Sequence, residues 1–595
     1  MIRKFTLLLA LLLPAFGASA QFQDLPRYEL PEEKALLNNF PNNGEALPSG
    51  ILTPPVLPVR TMAEWEEVQA IVITWNTSST GIRTILAEIV RHARLECRVI
   101  VACSSQTIVN SARNFLISKN VDLSSNVEFV IGPNDSIWVR DFGPNCVYAN
   151  DVDSLYFVDW IYNRPQRPND DTLSTTLAPY FGIPLYRTLS GPDDMVHTGG
   201  NFMSDGMGTA FSSRLILEEN EPNNPYGVSV KNELQINQIM QDYMGIERYI
   251  KMTSLPYDDI HHIDMHMKLL DEETLLVGQY PEGIADGPQI EANIQYVLNN
   301  FNTSFGTPYE VKRIVMPPDG QDLYPDQGGQ YRTYANALFV NKTVLVPFYE
   351  QAFDTTAQRI WEAAMPGYKI VGINSNAVIP QKGAIHCITK EIGVPDPLRI
   401  VHQRLKTQNN ALVSEYKIDA LIQHRSGIAS AQLFWSLSPN GPWSSLPMNL
   451  TNSASDTWSC AIPLQAPDLL VYYYIDATAN NGKSLTRPLP GAEGPWSFRT
   501  VLAVSDNEPL NVQTQPVFPN PARAITCIPV SLQRSGTLQI NLYNSLGQWV
   551  QRVYQGEAPA GDNKYFFDAS LFPPGAYWIE VRSSGSIATQ KVLVR

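Results

Sequence analysis

Short apolar runs and stretches of helical spacing take turns along the chain from Met62 onward. Ala70 to Trp75 is an apolar run of the buried-strand type, Gly81 to His92 carries apolar residues at helical intervals, and Cys97 to Ala102 is strand-like again. Three later segments, Gly200 to Ser212, His262 to Gln279 and Asn336 to Tyr349, each read as strand, polar turn, strand. Their turns fall near Ser204-Asp205-Gly206, Asp271-Glu272-Glu273 and Asn341-Lys342. Helical stretches follow the second and third, at Ile290 to Asn300 and Ala352 to Ala364. The spacing, roughly 60 to 75 residues, is too long for a common solenoid and suits a ring of hairpin-plus-helix units, whose equivalent strand ends converge on one cavity.

The pattern changes after Val401. Ala411 to Gln423, Gln432 to Ser436 and Val471 to Ala477 are period-two or apolar runs separated by Pro, Gly, Asn and Ser, which predicts an all-β sandwich over residues 405–500. A second all-β domain is expected over 508–595, with strands at Thr537 to Tyr543, Ala576 to Val581 and Gln590 to Arg595. Ahead of the periodic part, residues 21–60 are rich in Pro, Asn and Glu without a sustained period, and read as a pro-segment or an arm lying on the main domain. Residues 1–20 read as a secretory signal: Arg3 and Lys4, an apolar run from Phe5 to Leu13, and Ala18-Ser19-Ala20 before the cut. No later stretch approaches the roughly eighteen apolar residues of a membrane span.

A net charge of −15, with no cluster of Lys and Arg, argues against nucleic acid as a partner and suits a cationic small molecule or peptide, or simply solubility. The six cysteines are too sparse over 595 residues for a disulfide framework; Cys97 with Cys103 is one candidate pair, and Cys387 is read as a free thiol.

Three segments could carry chemistry. In Gly383-Ala-Ile-His-Cys387-Ile-Thr389, the preceding Pro380-Gln381-Lys382 and Gly383 suggest a chain turning into a cavity, where small residues let a ligand approach. His262, Asp264 and His266 would share one face of a predicted strand, as a catalytic His with a cation-holding Asp, as part of a zinc site, or as polar groups on a solvated strand. Ser136-Ile-Trp138-Val-Arg140-Asp141-Phe-Gly-Pro144 offers an aromatic face and a carboxylate for a planar cation, unless Arg140 and Asp141 merely pair with each other. A thiol, an imidazole and carboxylates together suggest covalent catalysis on a positively charged carbon.

With Met62-Ala-Glu-Trp-Glu66, Ile71-Val-Ile-Thr-Trp75, and Thr198-Gly-Gly-Asn201 followed by Asp205-Gly206, these segments resemble the agmatine deiminase and Porphyromonas-type peptidylarginine deiminase family, in the family's order, from Met62 to Leu398. The resemblance implies an α/β catalytic domain over 61–402, built as a five-bladed ββαβ propeller, the guanidino-group-modifying enzyme fold. It implies that Cys387 attacks the guanidinium carbon and that Asp141 and Asp264 hold its nitrogens. His262 would protonate the leaving ammonia and then activate water, Asn336 would be a polar site residue, and Trp138 would form pocket wall. No metal or organic cofactor is implied.

The segment Asp159 to Asp171 resembles the peptidylarginine deiminase stretch in which two arginines, here Arg164 and Arg167, grip the carboxylate of a C-terminal arginine; otherwise they would pair with Asp170 and Asp171 on a surface loop. Phe518-Pro-Asn-Pro521, Tyr543-Asn-Ser-Leu-Gly547 and Lys591-Val-Leu-Val-Arg595 resemble the C-terminal sorting domain of type IX secretion, and the preceding β domain resembles an immunoglobulin-like module. The expectation is an exported or surface-attached, cofactor-independent deiminase of arginine, preferably a peptide's C-terminal arginine, with the type IX machinery as partner. An agmatine or free-arginine deiminase, or a non-catalytic surface binding protein with the same pocket, stand as alternatives.

Overall fold

The computed structural model describes residues 24–37, 50–502, 512–533, 535–583 and 586–595; the leader expected over 1–20, and part of the arm expected over 21–60, lie outside them. The first apolar run forms the strand Val68–Thr74, which pairs in parallel with Arg98–Cys103, itself parallel to Val127–Ile131. Parallel neighbours need crossovers, and the helices Thr80–Ala93 and Gln106–Ser118 supply them. Ala70 to Ile73 are all fully buried, which is why that strand reads as continuous rather than alternating. Ser79 starts the first helix by accepting a hydrogen bond from the Ile82 amide.

Four further sheets between residues 145 and 374 repeat one order: an antiparallel hairpin, a helix, then a third strand parallel to the second. They are Asn145–Ala149, Leu155–Asp159 and Leu185–Arg187; Met203–Ser204, Thr209–Ser213 and Arg248–Met252; Met267–Leu269, Thr274–Gln279 and Glu310–Val315; and Leu338–Val340, Thr343–Phe348 and Lys369–Asn374. The first of these is extended by Val59–Thr61. The Val68–Thr74 sheet gains its antiparallel partner from the far end of this region, Lys390–Gly393, so the last strand closes onto the first. Where the helix Glu233–Met244 ends, Gly245 adopts φ 67°, and a side chain there would stand 1.8 Å from the Val59 carbonyl oxygen.

The region beyond Leu398 is all-β apart from short 3-10 turns among the described residues. Arg399–Val401, Glu415–Gln423, Thr457–Pro463 and Asn449–Asn452 form one sheet; Leu470–Ala479, Ile428–Ser436 and Trp496–Val501 lie in another. Along Leu470–Ala479 every second residue, Val471, Tyr473, Ile475 and Ala477, is fully buried, as period-two patterning requires of a one-sided sheet. Two last sheets, over residues 512–594, enclose a separate core around Ile528, Ile540 and Ile579.

Two local expectations are corrected. His262 to His266 is not strand: Ile263–Met265 is a 3-10 turn, and the strand starts only at Met267. Cys97 and Cys103 are both free, because Cys97 directly precedes the strand Arg98–Cys103 and Cys103 ends it, roughly 20 Å apart at strand rise, far beyond disulfide reach.

Candidate active site

Four separate chain segments deliver the candidate residues to one buried point. Asp141 stands on the single helical turn Val139–Phe142, Asp264 on the 3-10 turn Ile263–Met265, Asn336 just ahead of the strand Leu338–Val340, and Cys387 just ahead of Lys390–Gly393. Asn336 Nδ2 donates to Cys387 Sγ at 3.2 Å and to the Asp264 carbonyl at 3.1 Å. His262 Nδ1 lies 3.5 Å from Asp141 Oδ1, and its Nε2 is 3.0 Å from Thr198 Oγ1.

A guanidinium from the chain's own N-terminal arm fills the space between these groups. Arg27 Nε and Nη2 donate to the two oxygens of Asp141, each at 2.8 Å, and Nη1 and Nη2 donate to Asp264 at 3.3 Å. Nη1 also reaches Cys387 Sγ at 2.5 Å. Gly200 permits this approach: a Cβ there would sit 1.8 Å from Arg27 Nη2, 2.7 Å from His262 Nδ1 and 2.8 Å from Asp141 Oδ1. The Gly200 amide donates to Asp141 at 3.1 Å.

The main chain of the arm is held as closely. Trp138 Nε1 donates to the Leu25 carbonyl at 2.8 Å, the Arg27 amide donates to the Gln381 carbonyl at 3.0 Å, and Arg164 donates to the Arg27 carbonyl at 3.0 Å. Arg167 donates to the Tyr28 carbonyl at 3.2 Å and forms a bidentate pair with Glu33, both bonds 2.9 Å. Arg164 and Arg167 therefore converge on one stretch of peptide, at successive carbonyls. They do not pair with Asp170 or Asp171, which accept from the Ser136 hydroxyl and the Tyr162 amide instead.

Electrostatics follow from burial and this cation. Burial by itself pushes the carboxyls up, but Arg27 brings Asp141 below its ordinary value, and Arg27 with His386 holds Asp264 well below the carboxylate range. Burial pushes the Cys387 thiol strongly up; Arg27 opposes this, while Asp264 and Asp141 add to it. His262 is brought down to about 3, by burial first and by Arg27 second, so it is neutral here.

Several sequence expectations change in detail. Trp138 presents its indole N–H to the arm's backbone, and Gly383 makes room for the Trp138 ring and Cys387, which a Cβ would meet at 2.5 and 3.0 Å, rather than for a ligand. Arg140 does not pair with Asp141: it donates to Glu391 at 3.0 Å, leaving Asp141 free to face the site. His266 is not grouped with His262 and Asp264, because the turn breaks the alternation that would align them; neither ring nitrogen of His266 has a hydrogen-bond partner among the described residues. Sequence reasoning passed over His386, although it adjoins Cys387. Its Nδ1 is 2.9 Å from Asp264 and its Nε2 is 3.0 Å from Glu64, a relay that orients the Asp264 carboxylate. It also passed over Arg27, which no local pattern distinguishes.

The family model of the Porphyromonas-type peptidyl-arginine deiminases matches residues 60–393, and that of the secretion system C-terminal sorting domain matches residues 516–595. A Mycoplasma mycoides protein provisionally named agmatine deiminase is 23% identical over 354 residues, covering 55% of this chain and 94% of its own. The structure of an agmatine deiminase of Enterococcus faecalis is 21% identical, covering 56% of this chain and 96% of that one, with a TM-score of 0.48. A further structure, of a protein provisionally named agmatine deiminase, is 19% identical with a TM-score of 0.50, covering 57% and 96%, and is a likeness of fold.

Proposed function

Because the chain belongs to the Porphyromonas-type peptidyl-arginine deiminase family, enzymes acting on guanidino carbon–nitrogen bonds, we propose that it hydrolyses the guanidinium of peptidyl arginine to citrulline and ammonia through a covalent intermediate on Cys387. The sorting domain at its C-terminus marks it for export to the cell surface or beyond. The observation that carries the substrate reading is the grip on Arg27: its guanidinium is held by two carboxylates against a thiol while its main chain is bonded on both sides of the α-carbon. Agmatine has no main-chain carbonyl for Arg164. A C-terminal arginine, the preferred substrate on sequence grounds, would set a carboxylate oxygen where the Arg27 carbonyl lies, a stronger acceptor for the same donor.

The chemistry runs on this chain's own groups. Cys387 sulfur adds to the guanidinium carbon as its proton passes to His262, and the imidazolium returns that proton to the departing nitrogen, which leaves as ammonia. Nη2 lies on the Gly200 side of the guanidinium, where His262 Nδ1 also lies, and we take it as the departing nitrogen. Water, deprotonated by His262, then attacks the thiouronium carbon; the carbon–sulfur bond breaks, the thiol regains its proton, and a ureido group remains. Asp141 and Asp264 hold the cation in place, and Asn336 fixes the sulfur. We further read the five sheets of the region from Val59 to Gly393 as blades of a propeller, 61–402 as the catalytic domain, 405–500 as an immunoglobulin-like domain and 508–595 as the sorting domain.

The test is citrulline and ammonia release from arginine peptides, free arginine and agmatine, by wild-type protein and by Cys387→Ala. Loss of a nucleophile commonly costs several orders of magnitude, and the substitution removes little buried volume, so turnover should vanish while the protein stays folded. Activity within tenfold of wild type would reject Cys387 as nucleophile. Faster turnover of agmatine than of every peptide would favour the agmatine alternative.

A further inference from the structure

We propose, resting on the deiminase reading above, that Arg27 is this enzyme's own first substrate: one intramolecular turnover converts it to citrulline and frees the arm from the site. The Arg27 side chain is fully buried, and its guanidinium is held by Asp141 and Asp264 with Nη1 2.5 Å from the Cys387 sulfur. The arm is also locked in register beside it. Asp24 accepts from the Ser78 amide at 2.8 Å, the Glu33–Arg167 pair anchors the far side, and Gln166 donates to the Glu33 carbonyl at 2.8 Å. While Arg27 is seated, no other arginine can reach Cys387.

Rates decide between an inert plug and a substrate. A group fixed in attack geometry reacts at an effective molarity of about 10⁵ to 10⁸ M, so access never limits an intramolecular substrate. Enzymes of median turnover run at about 10 per second; a site slowed about 10⁵-fold by the constrained arm would still convert Arg27 with a half-life of roughly two hours. An inert plug needs a larger suppression than that.

The step balances. The Cys387 sulfur bonds to the Arg27 carbon and the C–Nη2 bond breaks, with ammonia leaving on the proton relayed by His262. Water then adds and the carbon–sulfur bond breaks, so that one water is consumed and one ammonium released. The product is uncharged. It loses both ion pairs and leaves Asp141 and Asp264 facing a neutral ureido group, so the arm keeps its backbone bonds, the Asp24–Ser78 and Gln166–Glu33 bonds and the Glu33–Arg167 pair but not the grip on its cation, and external peptides can displace it.

The experiment is mass spectrometry of the peptide carrying residue 27, released by a protease that does not cut at arginine, from the full chain in wild-type, Cys387→Ala and Cys387→Ser forms. Citrulline at position 27 in wild type, at a fraction independent of protein concentration, with arginine in both variants, is the expected result. In a mixture of wild type with Cys387→Ala, the variant's Arg27 should stay arginine; its conversion would overturn the intramolecular assignment. Arginine persisting at position 27 of wild type, while Arg27→Ala turns over added arginine peptides, would overturn self-deimination and leave the deiminase reading standing. Absence of turnover by wild type and Arg27→Ala alike, on every guanidine tried, would remove both.

Discussion

Arg164 offers the sharpest separation between peptide and small-guanidine substrates. It is 7% exposed and donates one charged hydrogen bond, at 3.0 Å, to the carbonyl of the arginine seated in the pocket, with its other contact to the Asn163 carbonyl. A hydrogen bond to a charged partner contributes about 1.5 to 3 kcal/mol. At about 1.36 kcal/mol per factor of ten, Arg164→Ala should lower kcat/KM for an arginine peptide roughly ten- to 150-fold. Agmatine places no acceptor there and carries a positive charge, so its kcat/KM should hold or rise. The comparison belongs in an Arg27→Ala background, so that the arm does not compete, with ammonia release from an arginine peptide, its C-terminally amidated form and agmatine. The terminal carboxylate should suffer the largest loss, since it is the strongest acceptor for this donor. Equal losses on agmatine and peptide would refute the reasoning, because they would mean that Arg164 acts on the pocket's shape rather than on the substrate's main chain.

Two further outcomes follow from the same geometry. In the Arg27→Ala background, the two carboxylates hold the Cys387 pKa up without a compensating cation, so Asp264→Asn should move the pH profile of Cys387 alkylation by a small neutral reagent towards lower pH, as should an inert guanidinium analogue; an unchanged or upward shift rejects the electrostatic account. Removing residues 506–595 should leave turnover intact and stop export, because the sorting match begins at 516 and that region has its own core; fractionation that finds the truncated protein outside the cell would contradict this.

What could be read along the chain was what local periodicity or a compact motif records. The apolar run at Ala70 to Ile73 is a strand because both its faces are covered, and the repeated strand, turn, strand signal survives because each hairpin is formed by neighbours in sequence. Asp141, Asp264, Asn336 and Cys387 stand together, although 246 residues separate the first from the last. Strand alternation at His262 to His266 misled because a 3-10 turn draws His262 and Asp264 inward and leaves His266 aside; tertiary demand overrode a pattern that is only three residues deep. Arg27 was illegible for a stronger reason. Its partners lie 114, 237 and 360 residues away, and nothing in an aperiodic Pro- and Glu-rich stretch reports contacts of that range. Arg164 and Arg167 could be named as a pair, but their division of labour between successive carbonyls depends on the bound chain's path.

The charge arrangement also accounts for why such a site does not choke on its product. Asp141 and Asp264 are both buried, and Arg27, joined by His386 at Asp264, favours their ionised form, so the site suits a cation. Deimination erases that cation without changing the shape of the side chain by more than the exchange of NH₂ for O. The bonds that select the substrate are thus the ones that the reaction destroys, and the two carboxylates then face each other across a neutral group, where their repulsion favours exchange for another cation. On the proposed peptide reading, this would speed product release. If Arg27 is converted as proposed, the exchange would be one-way, because a citrulline at position 27 would not win the pocket back from an arginine.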